Sequence, residues 1–256
     1  MATTKIEYAV SPDGSAGRNW SFFPGCLGPD GKPCPYCWSR NRVLPRMKCA
    51  KCRSLVPHFH PERMDEPLHV KKPTTWLVNF AGDWMGGWIE PDIIRNSLQI
   101  MAACPQHRFL TLTKNPMRLK DFSFPTNCWV GASATNAEMA RRAMIELDFI
   151  QAKVKFLSIE PLLDNDGYTP WRYLTFTKVQ WVIIGAATGC KDLLPPKIEW
   201  VAEIVEAADK AGVKLWLKRN LDKLLWNESA YAYPDWAATS GSGKGELRQE
   251  LPEVRP

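Results

Sequence analysis

The sequence contains no apolar run of about 18 residues, the length that a membrane-spanning helix requires. Its first residues, 1–7, lack the positive segment followed by an apolar segment that marks a secretory signal peptide. It also lacks the high share of polar residues that is typical of disordered chains, because 45% of its residues are hydrophobic. Its 256 residues suit one large domain or two small ones. We therefore expect a folded cytoplasmic protein without a membrane partner.

Acidic residues are missing from one stretch of the chain. The net charge is +6, and residues 1–72 hold 12 Lys and Arg against 6 Asp and Glu, so this segment carries the whole excess. Between Lys32 and Arg53 there are seven basic residues and no acidic one. Such a patch, with Tyr36 and Trp38 interleaved, suits phosphates, a nucleic acid or an acidic partner. A merely solvated basic face is the alternative.

Eight cysteines in a chain expected to be cytoplasmic indicate metal or redox chemistry rather than a disulfide framework. Three of them stand alone beside apolar runs and are expected to be small buried core residues. The other five fall within 27 residues and are Cys26, Cys34, Cys37, Cys49 and Cys52.

Two metal sites compete for these five cysteines. Cys34-x2-Cys37 and Cys49-x2-Cys52 could together close a tetrahedral zinc site of four thiolates. Alternatively, Cys26-x7-Cys34-x2-Cys37 provides three thiolates for a [4Fe–4S] cluster, which leaves one iron open. In that case Cys49 and Cys52, with His58 or His60, form a separate small metal site that could hold zinc.

From about Pro73 the sequence alternates short apolar runs with amphipathic stretches. The stretches predict helices over Asp92–Ala103, Ala137–Ile150 and Ile198–Ala211. Strands buried on both faces are predicted at Thr75–Phe80, Arg108–Thr113, Cys128–Ala132, Val154–Ile159, Trp181–Gly185 and Val213–Leu217. Repeated β-α units predict an α/β fold with a parallel sheet, either open or curled into a barrel.

Polar residues follow these strands, at the edge where parallel α/β folds bind ligands. Asp83 follows the first predicted strand, and Glu160 ends the fourth. Glu160 could contact a ligand, or it could form a structural pair with Lys114 or Lys218. After the third strand come Ser133, Thr135 and Asn136, of which Asn136 could equally cap the next helix.

Beyond the cysteines, a series of blocks runs in order over roughly residues 20–220. The blocks are Gly25-Cys26, Cys34–Cys37, His60–Pro67, Phe109–Pro116, Trp129–Ser133, Phe156–Leu163, Trp181–Gly185 and Leu215–Lys218. Together they resemble a family of radical S-adenosylmethionine-like proteins, with a three-cysteine motif, that many phages and prophages encode. Two departures accompany the resemblance. Seven residues separate the first two cysteines, where better-known radical S-adenosylmethionine enzymes have three, and Gly185–Gly189 lacks the carboxylate of the family's Gly-Gly-Glu-Ser-Gly-like stretch.

The resemblance implies a partial (β/α) barrel of the radical S-adenosylmethionine type, with an N-terminal cysteine-rich cluster loop. It implies that Cys26, Cys34 and Cys37 hold a [4Fe–4S] cluster. It further implies reductive cleavage of S-adenosylmethionine to a 5′-deoxyadenosyl radical that acts on an unidentified substrate. Asp83 would meet the methionine amino group of that cofactor. Ribose or substrate contacts would come from Ser133, Thr135, Asn136 and Glu160.

We accordingly divide the chain into an N-terminal segment over 1–72, a core over 73–226 and a tail over 227–256. The tail contains a flexible-looking segment at 240–244 and a short strand candidate after it. Partners expected on this basis are the unidentified substrate, an electron donor such as a flavodoxin or ferredoxin, and a nucleic acid on residues 32–53. The competing hypothesis is a zinc-stabilised α/β protein that binds nucleic acid without redox activity.

Overall fold

A computed structural model describes residues 3–165, 170–190, 192–239 and 245–253. The chain divides into two compact units. Unit 1 comprises residues 1–132 and 149–153, and unit 2 comprises residues 133–148 and 154–256. The predicted boundaries at residues 72 and 226 follow composition and motif, and they stay predictions. The segment 240–244, predicted to be flexible, lies outside the described residues.

The chain forms seven strands, and every strand pairing within each unit is parallel. The strands are β1 (Arg18–Trp20), β2 (Thr75–Val78), β3 (Arg108–Thr113), β4 (Cys128–Ala134), β5 (Val154–Ile159), β6 (Trp181–Ile184) and β7 (Lys214–Leu217). The helices are α1 (Ala50–Arg53), α2 (Pro91–Ala103), α3 (Ala137–Phe149), α4 (Ile198–Ala211) and α5 (Asp222–Leu225). The α/β class and the parallel pairing are thereby confirmed.

Unit 1 holds an open run of strands in the order β1-β2-β3-β4. The register places Trp20 beside Val78 and Val78 beside Thr111. All four residues of β2 are buried, as expected of a strand covered on both faces. Large apolar side chains around it are fully enclosed, including Trp20, Phe22, Trp76, Trp84 and Phe109.

Unit 2 holds β5, β6 and β7 in that order, and this set does not close on itself either. The helix α4 crosses between β6 and β7 and ends at Gly212, which adopts a left-handed conformation with φ of 66°. The residue Gln249 forms an antiparallel bridge with Trp216 of β7. The tail thus supplies the short strand-like segment expected from its sequence.

The segment after Cys37 does not form a regular α-helix. It forms a π-helical turn over Ser39–Val43 and a 3₁₀ turn over Leu44–Arg46. Pro45 lacks the amide hydrogen that a regular α-helix would need there, so the turn cannot extend as one helix. Among the described residues, none of the helices combines the length and apolarity needed to cross a bilayer.

Candidate metal and cofactor site

The first cysteine of the cluster, Cys26, lies just beyond the carboxyl ends of β1 and β2. Its neighbour Gly25 donates its backbone N–H to the carbonyl of Ala81, which follows β2. The buried hydroxyl of Ser39 donates to that same carbonyl, at 3.0 Å. Two points of the cysteine segment are therefore anchored at the sheet edge where parallel α/β folds place ligands.

The sulfur atoms of this segment already accept backbone hydrogen bonds. The N–H of Gly28 lies 3.2 Å from Cys26 Sγ, and the N–H of Arg40 lies 3.3 Å from Cys37 Sγ. Cys34 and Cys37 are joined by a tight turn, in which the Cys37 N–H donates to the Cys34 carbonyl at 3.0 Å. Such bonds to sulfur are a feature of iron–sulfur ligation.

Burial raises the pKa of the Cys26 thiol to about 12, and the negative charges of Asp83, Cys37 and Cys34 add to that increase. Ionised Asp83, Cys37 and Cys34 would each repel a thiolate at Cys26. A metal group that takes thiolates must displace the proton that this environment favours. Beside Cys26 lies a cavity of about 360 Å³, whose wall includes Arg40, Arg53 and Leu55.

A second group of ligands lies next to this loop. Within the described part of the chain, Cys49, Cys52, His58 and His60 bring four ligand atoms within 4.8 Å of one another. Cys49 Sγ lies 3.2 Å from His58 Nε2, and Cys52 Sγ lies 3.6 Å from His58 Nε2 and 3.4 Å from His60 Nε2. Zn–S bonds of 2.3 Å and Zn–N bonds near 2.05 Å at a tetrahedral angle put S and N about 3.6 Å apart. The Cys2His2 set therefore fits a tetrahedral ion such as zinc.

Both histidines are oriented through their other ring nitrogen. Nδ1 of His58 lies 2.8 Å from the Val56 carbonyl oxygen, and Nδ1 of His60 lies 2.7 Å from Glu62 Oε1. Each acceptor favours a proton on Nδ1, which leaves the Nε2 lone pair for a metal. The four ligands were predicted from the sequence. Glu62 and the Val56 carbonyl were not, although an acidic residue two positions after His60 is a readable signal.

The two thiols of the pair differ in environment. The backbone N–H of Cys52 donates to Cys49 and, with further bonds from His58 and Lys51, lowers the pKa of Cys49 to about 7. Burial, followed by the neighbouring Cys49, raises the pKa of Cys52 to about 11. One ligand thus ionises readily near neutral pH, and the second needs the metal to displace its proton.

This grouping decides against the four-thiolate zinc site of Cys34, Cys37, Cys49 and Cys52. The structure pairs Cys49 and Cys52 with His58 and His60 instead. The chain reverses between α1 and His60, so the histidines reach the CxxC pair within twelve residues. Cys26, Cys34 and Cys37 are consequently left without a role in the Cys2His2 site.

Asp83 is committed to internal hydrogen bonds. Its Oδ1 accepts from the Thr113 hydroxyl at 2.6 Å and the Met85 N–H at 3.0 Å, and its Oδ2 accepts from the Lys114 N–H at 2.9 Å. The side chain ties the loop after β2 to the end of β3. It is a buried turn residue, and Oδ2 retains one accepting position.

In unit 2, Ser133, Thr135 and Asn136 follow one another at the end of β4. Ser133 and Thr135 are buried, and the Thr135 carbonyl accepts the N–H groups of Leu163 and Asp164. The side chain of Asn136 accepts the N–H of Met139 at 2.9 Å, which is the pattern of a helix N-cap on α3. The capping function expected as the alternative for Asn136 is confirmed.

Glu160 and Lys218 form a partly buried ion pair, with Lys218 Nζ 2.8 Å from Glu160 Oε2. The other oxygen, Oε1, is buried without a hydrogen-bond partner among the described residues. A Cβ on Gly185 would lie 2.9 Å from Lys218 Cδ and 3.3 Å from Glu160 Cγ, so glycine leaves room for the pair. Asn220 then fixes the following segment through both backbone groups of Ala186.

Lys114, the other candidate partner of Glu160, belongs to unit 1. Its Nζ lies 5.9 Å from the ring centre of Tyr36, which is the range of a cation–π contact.

Comparison with known proteins gives one family. The model of DUF5131, described as a protein of unknown function, matches residues 4–229. No curated protein and no solved structure matches the chain.

Proposed function

The chain belongs to the DUF5131 family, and we propose that it is a radical S-adenosylmethionine-type iron–sulfur enzyme whose cluster is held by Cys26, Cys34 and Cys37. The observation that carries the proposal is the separation of the five clustered cysteines. The Cys2His2 group uses two of them, which leaves Cys26, Cys34 and Cys37 on one loop, and the negative charges of Asp83, Cys37 and Cys34 all raise the pKa of Cys26.

The chain's own residues suit three thiolate ligands. Backbone N–H groups of Gly28 and Arg40 stabilise negative charge on two of the sulfurs, and no side-chain movement is needed to supply them. When bound, such a cluster leaves one iron for S-adenosylmethionine and supplies the electron that cleaves it to methionine and a 5′-deoxyadenosyl radical. The protein binds and orients the cofactor and the substrate, and it excludes side reactions.

Within unit 2, Glu160 is proposed as a ribose or substrate contact. Glu160 Oε1 is a buried acceptor without a partner among the described residues, and Lys218 holds the other oxygen in place. A ribose hydroxyl is a donor that would satisfy Oε1. Ser133, Thr135 and Asn136 are also proposed as ribose or substrate contacts. In unit 1, Asp83 Oδ2 is proposed as the acceptor for the methionine ammonium group. The proposal includes the partial (β/α) barrel, since parallel strands with crossover helices are common to barrels and open sheets.

The test begins with the iron, sulfide and zinc content of the full chain purified without oxygen and reconstituted. We expect about four irons and four sulfides together with about one zinc. Cys26→Ala should lose the iron and keep the zinc, whereas His60→Ala should lose the zinc. With a reductant and S-adenosylmethionine, the wild type should release 5′-deoxyadenosine. The Glu160→Gln variant should keep its iron and should release several-fold less 5′-deoxyadenosine than the wild type.

The matched control is Cys104→Ala, which removes a buried cysteine that lies outside both groups. It should keep iron and zinc at wild-type levels. Zinc without retainable iron in the wild type would contradict the proposal. So would iron retention by Cys26→Ala.

A second candidate function is a zinc-stabilised protein that binds nucleic acid, and the surface of residues 32–53 favours it. All seven basic side chains of this stretch are exposed. Within the described residues none of them forms an ion pair, so their charge is available to a partner. A nucleic acid could also be the substrate of the enzyme, with a flavodoxin or ferredoxin as electron donor.

A further inference from the structure

The Cys2His2 group is joined by backbone hydrogen bonds to the segment that carries Cys26. The N–H of His60 donates to the Phe22 carbonyl at 2.7 Å, and the N–H of His58 donates to the Pro24 carbonyl at 3.3 Å. In return, the N–H of Cys26 donates to the Leu55 carbonyl at 3.3 Å. Residues 22–26 and 55–60 thus lie side by side and antiparallel, and two of the three bonds start at ligand histidines.

Gly25 permits this close approach. Its φ is +92°, and a Cβ there would lie 2.7 Å from backbone atoms of Val56 and Pro57. Contact at this distance is tolerated only by glycine, so the two segments are fitted to each other independently of the hydrogen bonds. The position of Cys26 therefore depends on where the histidine segment lies, together with the anchoring of Gly25 to Ala81 and of Phe23 to Asn79 at the sheet edge.

Beyond these backbone contacts and the stacking of Phe59 on Phe23, the histidine segment has a small apolar core. This core has four buried residues, with partly buried Cys26, Val43, Met47 and Cys49 packed against it; the buried residues are Leu44, Cys52, Leu55 and Ala81. The only α-helix between β1 and β2 is α1, with four residues. Short segments with so small a core usually depend on a metal or a disulfide for their structure.

We propose that a zinc ion bound by Cys49, Cys52, His58 and His60 is the clamp that fixes residues 22–26, and with them Cys26. Binding of the ion joins α1 to the histidine segment, and the three backbone bonds pass that restraint to Cys26. The proposal concerns the structure of the loop, and it holds whether or not the loop carries a cluster.

The test compares the full chain before and after removal of zinc by a chelator, with amide hydrogen exchange as the measurement. Exchange should rise at residues 22–26 and 44–60 upon removal, fall again when zinc alone is restored, and stay unchanged in α4. Loss of zinc without a change at residues 22–26 would overturn the proposal, and so would a wild-type protein that binds no zinc.

Two variants make the test specific. Glu62→Gln weakens the acceptor behind His60 without removing a ligand. We expect the zinc affinity, measured in competition with a chelator, to fall roughly 10- to 100-fold. The control is His69→Ala, an exposed histidine that pairs with Asp65 outside the site. It should leave both zinc affinity and exchange unchanged. A Glu62→Gln variant with wild-type zinc affinity would remove Glu62 from the proposal.

Discussion

At the scale of single residues, Asp83 shows how a candidate ligand can also be a structural residue. Its carboxylate accepts three hydrogen bonds from Thr113, Met85 and Lys114, and the side chain is buried. Asp83→Asn replaces one oxygen with an amide that cannot accept, so a buried donor loses its partner. We expect a loss of about 1–3 kcal/mol in the free energy of unfolding, measured by chemical denaturation.

The control for Asp83 is Asp92→Asn at the start of α2. The Asp92 side chain is 91% exposed and contacts Arg95, so its removal should cost less than about 1 kcal/mol. Equal effects of the two substitutions would mean that the three internal bonds of Asp83 contribute little to folding.

At the scale of elements, the start of α3 depends on one side chain. Asn136 Oδ1 accepts the Met139 N–H, one of the amide groups that a helix leaves unpaired at its N-terminus. Asn136→Ala removes the acceptor and should lower the free energy of unfolding by about 1 kcal/mol in chemical denaturation. Asn136→Asp keeps an oxygen in place and should retain most of that stability. A similar loss in both variants would show that the amide nitrogen matters more than the cap.

The elements of the fold were largely readable from hydrophobic patterning. The six predicted strands form with ends within two residues of the prediction, because each is an apolar run bounded by turn residues. The strand β1 was missed because three residues, of which only Trp20 is buried, carry no measurable periodicity. The π-helical turn after Cys37 was also not predicted, since residue spacing does not distinguish it from an α-helix.

The candidate site was readable only in part. Cysteine spacing predicted which cysteines are candidate ligands, but it did not distinguish a four-thiolate site from the Cys2His2 site. That choice depends on residues 55–60 folding back along residues 22–26, which needs Gly25 and three backbone bonds between distant positions. The role of Glu160 was likewise open, because its pairing with Lys218 joins residues 58 positions apart. Contacts of this kind leave no periodic signal in a sequence.

At the scale of the whole molecule, charge is unevenly distributed, since the excess of +6 lies entirely within residues 1–72. If residues 32–53 bind nucleic acid, removing three of their charges with Arg46→Ala, Lys48→Ala and Lys51→Ala should weaken binding. The slope of the logarithm of the binding constant against the logarithm of the salt concentration, measured by filter binding, should become shallower by about three. The control is a triple alanine variant on helices of unit 2, at Arg141, Arg142 and Lys210.

The control variant lowers the net charge by the same amount but at a different place. If binding is localised to residues 32–53, the control should therefore keep the wild-type slope. An equal reduction in both variants would indicate nonspecific attraction by net charge. Salt-insensitive binding, or none, would remove nucleic acid as a partner of this surface.

The compactness of the Cys2His2 group in sequence has a consequence for the order of folding. All four ligands fall between residues 49 and 60, so closing the site costs little chain entropy. Strands β2 to β7 begin only at Thr75, and their pairings join residues much further apart. Local contacts generally form faster than distant ones. If the Cys2His2 group binds a metal ion, a chain emerging from the ribosome can therefore do so before β2 is made, and the later strands would then assemble beside a loop that already has its shape.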